Sequence, residues 1–283
     1  MKSAFARLLL IAMGTVSLLF IALIVLRFLG LQTATRSPQH PLLDKSFWIF
    51  VQPDYHQMSL NYLESWKTKE FNSPEAIPWI DFRRTQEGQW WVAHEDWIEI
   101  DGKPRPFAIL KAEELKQIWK EKAVSLKEVL TLFHGGDLFL NVSEKDPFWV
   151  KSLIENFDKD WDSHILAHSP VYQFGHSLRQ SKPEWLFASD AATVSRWLFL
   201  SGLWLEPIAD FWPDVFFAPP ILQGREVFSK GMRQELTRRG VAVVVDLTNS
   251  KTAPILFEGL KLKGLATKDL ESALEFQHQL KSQ

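Results

Sequence analysis

Cysteine is absent from the 283-residue sequence, which excludes disulfide bonds, a thiolate nucleophile, zinc sites with cysteine ligands and a lipid-modified N-terminal cysteine. The sequence also lacks an excess of basic residues, with 32 Lys and Arg against 34 Asp and Glu and a net charge of −2. Proteins that bind nucleic acid usually present a basic face. We therefore expect no nucleic-acid partner.

A glycine-rich phosphate loop is missing as well. The first apolar run that predicts a strand, residues 47–51, is followed by Gln52, Pro53 and Asp54. Dinucleotide-binding sheets carry a glycine-rich turn at this position. Its absence argues against an open, doubly wound α/β sheet, which is the alternative to the barrel predicted below.

A long apolar run is present at the N-terminus, from Leu8 to Val25, and two apolar residues continue it past Arg27. Crossing a bilayer takes about 20 apolar residues. A cleavable signal peptide has an apolar core of only ~7–15 residues and a cleavage site with small residues. The run predicts an uncleaved single-pass transmembrane anchor at residues 1–30, with the membrane as a partner. Basic residues flank both ends, so the side of the membrane on which the remaining chain lies stays undetermined.

The remaining chain divides into a polar linker, residues 31–45, and one domain, residues 46–283. Short apolar runs alternate there with segments of helical periodicity, and this predicts parallel strands joined by crossover helices. Eight such units in about 240 residues predict an α/β fold of the (β/α)₈ TIM-barrel type. The predicted strands are 47–51, 77–82, 138–142, 164–168, 185–188, 215–218, 241–247 and 264–267. The predicted helices are 60–66, 112–119, 125–130, 147–157, 172–180, 191–200, 229–239, 252–258 and 270–280, and residues 99–105 are predicted to be a loop.

The stretch 78–94 has a different pattern. A Glu-Gly turn at 87–88 separates an apolar run that contains Asp81 from an aromatic and β-branched run that ends at His94. This pattern predicts a β-hairpin with Asp81 and His94 at neighbouring strand ends. A carboxylate and an imidazole in that arrangement could bind a metal or transfer a proton. Taken by itself, however, the stretch favours a surface hairpin with a solvated aspartate and a partly buried histidine.

In a barrel of this type, functional sites lie at the C-terminal ends of the strands. Three of the polar residues there, Ser189, Asp190 and Asp269, stand just before predicted helices and are expected to be helix caps. The others are Gln52, Asp81, His94, Asn141, Ser143, His168, Ser169, Asp246 and Lys268.

Short motifs in this domain follow the order found in one known family. The strand end 79–81, the turn 85–88 and the strand end 92–95 match its Glu-x-Asp, Thr-x-Asp-Gly and His-Asp elements in spacing. The later matches are Glu114-Leu115, Leu126–Leu130, Leu178-Arg179 with Pro183, Gly240–Val243 with Asn249, and Gly264–Lys268. Over roughly residues 47–280, the sequence therefore resembles the glycerophosphodiester phosphodiesterase family, within the phospholipase-C-like TIM barrels.

The resemblance implies hydrolysis of phosphoric diesters in lipid metabolism by two histidines and a divalent metal that carboxylates hold. Asp81 matches a metal-ligating aspartate of the family, and His94 matches its second catalytic histidine. The other site positions have changed. Gln52 stands near the first histidine, Gln57 and Trp79 stand at two glutamates, and Asn141 and Ser143 stand at the glutamate and lysine of a Glu-x-Lys element. Glu144, Asp246 and His56 are the candidates to compensate for these losses.

Two functions follow as expectations from this altered set of residues. The first is a membrane-anchored barrel that has lost most metal-dependent activity and binds a phospholipid-derived ligand or a protein partner, without a cofactor. The alternative is a divergent phosphodiester hydrolase that acts on glycerophosphodiesters or phospholipid head groups. In the alternative, His94 is the acid or base, and Ca²⁺ or Mg²⁺ is the cofactor.

Overall fold

The computed structural model describes residues 2–32, 38–249, 257 and 260–281, and eight parallel strands form a barrel in it. The strands are β1 Trp48–Val51, β2 Ala76–Arg84, β3 Leu138–Val142, β4 Ile165–His168, β5 Leu186–Phe187, β6 Val215–Ala218, β7 Ala242–Asp246 and β8 Leu262–Thr267. Hydrogen bonds join them in the order β5-β4-β3-β2-β1-β8-β7-β6, and a bridge between Ala188 and Val215 joins the two end strands. The barrel is thus nearly closed, and the predicted (β/α)₈ fold is confirmed.

Helices connect the strands and cover the outside of the barrel. The helices are α1 Lys2–Leu31, α2 Pro41–Asp44, α3 Leu60–Glu70, α4 Ala112–Trp119, α5 Leu126–Leu132, α6 Val150–Ile154, α7 Tyr172–Ser181, α8 Ala191–Ser201, α9 Lys230–Arg239 and α10 Leu270–Lys281. Ser125 and Glu128 form a capping box at the start of α5, and Gly240 ends α9 with a φ of +63°. The predicted helix 252–258 falls almost entirely outside the described residues.

The segment predicted as a loop at 99–105 is instead a small antiparallel hairpin of Trp97–Ile100 with Lys103–Pro106. Asp101 and Gly102 form its two-residue turn with φ values of +52° and +72°. An Asp-Gly pair with both residues at positive φ suits the tight turns that twist with a hairpin. The loop prediction was wrong because it gave weight to the polarity of the segment and not to this turn signal.

The hairpin predicted at 78–94 is confirmed. Strand β2 pairs antiparallel with Trp90–Val92, and Phe82 lies opposite Val92. Gly88 supplies a φ of +80° in the connecting turn. The pairing carries His94 back past the end of β2.

Large apolar side chains fill the inside of the barrel. The ring of Trp79 meets those of Phe139 and Phe217 edge to face, with centroids 5.1 and 5.4 Å apart. Because strand side chains alternate between the two faces, the residues two positions further on also point inward. These inward positions at the C-terminal strand ends are Gln52, Asp81, Asn141, His168 and Asp246.

The N-terminal helix α1 contains an apolar segment, Leu10–Leu31, that is long enough to cross a membrane and has a mean hydropathy of 2.4. An N-terminal signal sequence meets the same two criteria. The predicted linker contains the short helix α2, and Leu42 of this helix packs in the same buried apolar cluster as Trp48 of β1. The boundaries predicted at 30 and 45 stay predictions.

Candidate functional site

The buried carboxylate of Asp81 lies at the centre of the polar layer above the aromatic interior. Its Oδ1 accepts hydrogen bonds from Trp79 Nε1 at 2.8 Å and Asn141 Nδ2 at 2.7 Å. Its Oδ2 accepts hydrogen bonds from His94 Nδ1 at 2.5 Å and Gln52 Nε2 at 3.3 Å. An ionised carboxylate offers about four lone-pair sites. All of them are occupied by N–H donors.

The fold explains why these four donors meet. Gln52 follows β1 and is held there by its backbone hydrogen bond to Thr267. Trp79 is two residues before Asp81 on the same inward face of β2. Asn141 lies directly opposite Asp81 in the β2–β3 ladder, and the hairpin returns His94 to the same end. Donors from three neighbouring strands and one hairpin thus converge on one charge.

His94 is half exposed, and its Nδ1 bonded to Asp81 leaves Nε2 as the free ring nitrogen. The ring stacks on Tyr55 with centroids 5.1 Å apart and an interplanar angle of 22°. The hydrogen bond to Asp81 raises the pKa of His94 above its ordinary value, and partial burial opposes this rise. A histidine held in one orientation by a carboxylate can exchange a proton through its other nitrogen.

His168 extends the network to a fourth strand. Its Nδ1 donates a hydrogen bond of 2.7 Å to Asn141 Oδ1, since the amide nitrogen of Asn141 already donates to Asp81. Burial lowers the pKa of His168 to about 4, so the ring is neutral near pH 7. Hydrogen bonds therefore connect His168, Asn141, Asp81 and His94 in that order. The lowered pKa of His168 favours its neutral form, whereas the raised pKa of His94 favours its protonated form.

Sequence reasoning missed two members of this site. The sequence pattern places His168 at a strand end but assigns it no role. The pattern assigns no role to Tyr55 either, although the Tyr55 hydroxyl accepts a hydrogen bond of 2.8 Å from the backbone nitrogen of Asp81. Burial raises the pKa of Tyr55 well above its ordinary value. Its position on the loop after β1, where barrel sites commonly receive residues, was the available signal.

Glu144, a candidate to compensate for the changed positions, makes contacts away from Asp81. Its Oε2 lies 2.5 Å from Arg84 Nε, and its Oε1 accepts hydrogen bonds from the backbone nitrogens of Lys145 and Asp146. A shift in strand register would be needed to bring Glu144 to the site. The β2–β3 ladder stays in register from Asp81 to the next pair of residues, so no such shift occurs there.

The remaining candidates lie around the site without joining the hydrogen bonds to Asp81. Asp246 Oδ1 accepts from the Thr248 backbone nitrogen and hydroxyl, and burial raises the pKa of Asp246. Gln57 Nε2 donates to Asp54 Oδ2 at 2.8 Å on an exposed 3₁₀ turn that also contains His56. Ser143 is partly buried just after β3.

The residues at this site do not fit a divalent metal. Hard cations take oxygen ligands, whereas three of the groups nearest Asp81 present N–H donors from an indole and two amides. In the part of the chain that the structure describes, no group of three or more His, Asp or Glu side chains is placed to hold a metal ion. These N–H groups stabilise the negative charge of Asp81 and would not bind a cation beside it.

A cavity of about 870 Å³ opens beside His94. Its wall combines aromatic rings with charges of both signs and includes few purely aliphatic side chains. The lining includes the polar residues His94, His56, Lys122, Lys268, Glu95 and Glu99 and the aromatic residues Tyr55, Tyr62, Trp66, Trp97 and Trp119.

Solved structures with the same architecture are numerous, although neither protein-family models nor curated protein sequences match this sequence. A putative glycerophosphoryl diester phosphodiesterase from Silicibacter pomeroyi is 11% identical with a TM-score of 0.59, over 90% of this chain and 98% of that chain. A phosphodiesterase from Oleispira antarctica, in complex with the product sn-glycerol-3-phosphate, is 15% identical with a TM-score of 0.56, over 81% and 96%. A putative glycerophosphoryl diester phosphodiesterase from Agrobacterium tumefaciens is 8% identical with a TM-score of 0.60, over 84% and 100%. This chain therefore has the barrel fold of the glycerophosphodiester phosphodiesterases.

Proposed function

We propose that this protein is a membrane-anchored, phosphodiesterase-like barrel that has lost metal-dependent catalysis and binds a phospholipid-derived ligand in the cavity beside His94. The observation that carries the proposal is the occupation of both Asp81 oxygens by four N–H donors. A cation could reach the carboxylate only by displacing these donors. Each buried N–H that lost its acceptor would cost about 1–3 kcal/mol.

Charge balance supports the same conclusion. In the family that the sequence resembles, a dication compensates the site carboxylates. Here Trp79 and Asn141 stand where glutamates are expected, so there is less negative charge to compensate. Their N–H groups stabilise the Asp81 charge in place of a metal, as N–H donors do for buried carboxylates.

The cavity wall suits a zwitterionic ligand. Lys122 and Lys268 offer positive charge to a phosphate, whereas Glu95 and Glu99 oppose a ligand with only negative charge. Aromatic rings such as Trp97 attract quaternary ammonium groups by cation–π contact. A glycerophosphocholine-type head group combines both features.

Two measurements on the full chain in detergent test the proposal. Hydrolysis of glycerophosphocholine is followed while Mg²⁺, Ca²⁺ or Mn²⁺ is added, and binding of the same compound is measured by calorimetry. We expect binding and no metal-dependent turnover. Metal-dependent turnover that His94→Ala abolishes would overturn the loss of catalysis.

A variant that restores the residues expected from the resemblance is compared with the parent chain. Gln52→His, Trp79→Glu and Asn141→Glu together replace three donors by groups that can hold or serve a metal. Uncompensated carboxylates repel one another, so the triple variant should gain thermal stability when Ca²⁺ or Mg²⁺ is added. The parent chain should show no such gain.

A divergent hydrolase is the second candidate, and the half-exposed His94 with a free Nε2 favours it. In that case His94 would take a proton from an attacking hydroxyl without a metal. Three results together would support this function. Turnover would persist in the presence of a chelator, its rate would depend on pH as the titration of a single group does, and His94→Gln would abolish it. Absence of turnover across the pH range together with tight binding would favour the first.

The anchoring part of the proposal rests on the length and hydropathy of the Leu10–Leu31 segment. We expect the full chain to stay in the membrane fraction after extraction at alkaline pH. Intact mass should show that α1 is retained. Release of a shortened chain into the soluble fraction would identify α1 as a cleaved signal sequence.

A further inference from the structure

The last turns of α1 pack against the barrel. Arg27 Nη1 donates to the carbonyl oxygen of Trp204 and lies 3.2 Å from Glu206 Oε2, a carboxylate that is 5% exposed. Arg238 Nη1, on α9, donates to the carbonyl oxygen of Leu31 at 3.2 Å. Helix α1 is therefore attached to the barrel at two places and does not lead away from it as a free tether.

Gly30 makes this close packing possible. The residue is buried, and a Cβ atom there would lie 2.6 Å from the backbone nitrogen of Ile208. Side-chain carbons do not approach backbone atoms this closely. A larger residue at position 30 would have to push α1 away from the 3₁₀ helix Glu206–Ile208.

An exposed apolar patch, formed by Phe199, Leu203 and Trp204, lies next to this junction. The exposed fractions of Phe199 and Trp204 are 63% and 72%. Trp204 also has a φ of +58°, a left-handed conformation that is unfavourable for a bulky residue. Neither burial nor backbone preference accounts for an indole at this position.

We infer that a lipid bilayer surface covers this patch and holds the barrel in one orientation on the membrane. The inference rests on the proposed anchoring by α1. Arg27 contacts Trp204, so the patch lies beside the C-terminal end of the Leu10–Leu31 segment, where the chain would leave the hydrocarbon. Tryptophan and neighbouring apolar residues are enriched at that level of a membrane. The patch is thus continuous with the anchor.

Site-directed spin labelling tests this inference, and the absence of native cysteine makes it specific. A nitroxide is placed at Leu203→Cys of the full chain in phosphatidylcholine–phosphatidylglycerol liposomes. Its accessibility to oxygen and to a water-soluble nickel complex is compared with that of a label at Ile109→Cys. Ile109, which is 59% exposed, is an apolar surface residue on the segment between β2 and β3. We expect the label at 203 to be reached by oxygen and shielded from nickel, and the label at 109 to show the reverse.

Two further variants separate membrane contact from folding. Gly30→Leu should expose the label at 203 to nickel while the chain stays in the membrane fraction. Trp204→Gly relieves the left-handed backbone and should reduce the shielding of the label without lowering the melting temperature. A lower melting temperature with unchanged shielding would assign Trp204 a structural role and contradict the inference.

The outcomes distinguish the inference from the proposed anchoring. A label at 203 that nickel reaches freely, on a chain retained in the membrane, overturns the inference alone. Spin–spin broadening at 203 would indicate a second copy of the chain on the patch and would also overturn it. A chain released from the membrane overturns both.

Discussion

Trp79 donates its indole hydrogen to Asp81, two residues further along the same face of β2, at 2.8 Å. The indole is buried, and its ring contacts Phe139 and Phe217 below the carboxylate. One side chain thus fills the barrel interior and stabilises the charge above it.

Removing only the indole donor should lower the stability of the protein. Trp79→Phe keeps an aromatic ring but deprives the buried Asp81 of one hydrogen bond, at a cost of about 1–3 kcal/mol. The free energy of unfolding is measured by urea denaturation. Trp91→Phe is the matched control, because Trp91 is also buried but its indole nitrogen has no hydrogen-bond partner among the residues that the structure describes. Equal losses in the two variants would contradict the role assigned to the Trp79 donor.

The raised pKa of His94 should depend on Asp81. In Asp81→Asn, the pKa of His94 measured by NMR titration should fall, because the main cause of its rise is lost. Because the pKa of His94 is higher in the folded chain than its ordinary value of 6.5, protonated His94 stabilises the fold at pH values below 6.5. This stabilisation disappears as the pH rises through the pKa of the folded chain. The stability difference between the parent chain and His94→Gln should therefore shrink with increasing pH. A stability difference that grows with increasing pH would contradict this prediction.

His168 should make the protein sensitive to acid. Its pKa is lowered from 6.5 to about 4, so the unfolded chain binds a proton that the folded chain excludes between these values. Stability should fall as the pH drops through this range, by up to about 3 kcal/mol in total. His168→Gln keeps an N–H donor for Asn141 and should remove this component of the pH profile. An unchanged slope in the variant would contradict the prediction.

Glu144 should be structural. Glu144→Gln breaks its ion pair with Arg84, in which both side chains are largely buried, and should cost about 3 kcal/mol in unfolding free energy. Ligand binding in the cavity should not change. Glu155→Gln, in the exposed pair with Lys151, should cost much less. Loss of binding in Glu144→Gln with unchanged stability would restore Glu144 to the site.

The strand pattern shows how far sequence reasoning reached. Apolar runs such as 138–142 and 215–218 coincide with β3 and β6, because buried parallel strands need continuous apolar side chains. The small hairpin after Trp97 was missed, because its stability depends on a two-residue turn and not on hydrophobic period. The sequence predicted that Gln52, Asp81, Asn141 and His94 lie at one end of the barrel, since strand ends of a barrel converge whatever their residues are, and the structure places these four side chains together.

The sequence by itself determined the order of the eight barrel strands and the inward positions of Asp81 and Asn141. Only the tertiary structure decided which groups surround the Asp81 carboxylate. Hydrogen-bond direction depends on register and on side-chain placement across β1, β2, β3 and the hairpin, which local patterns do not encode. Three of the four N–H donors on Asp81 come from outside β2, on Gln52, His94 and Asn141. The attachment of α1 beside Trp204 likewise arises from a contact between residues far apart in the chain.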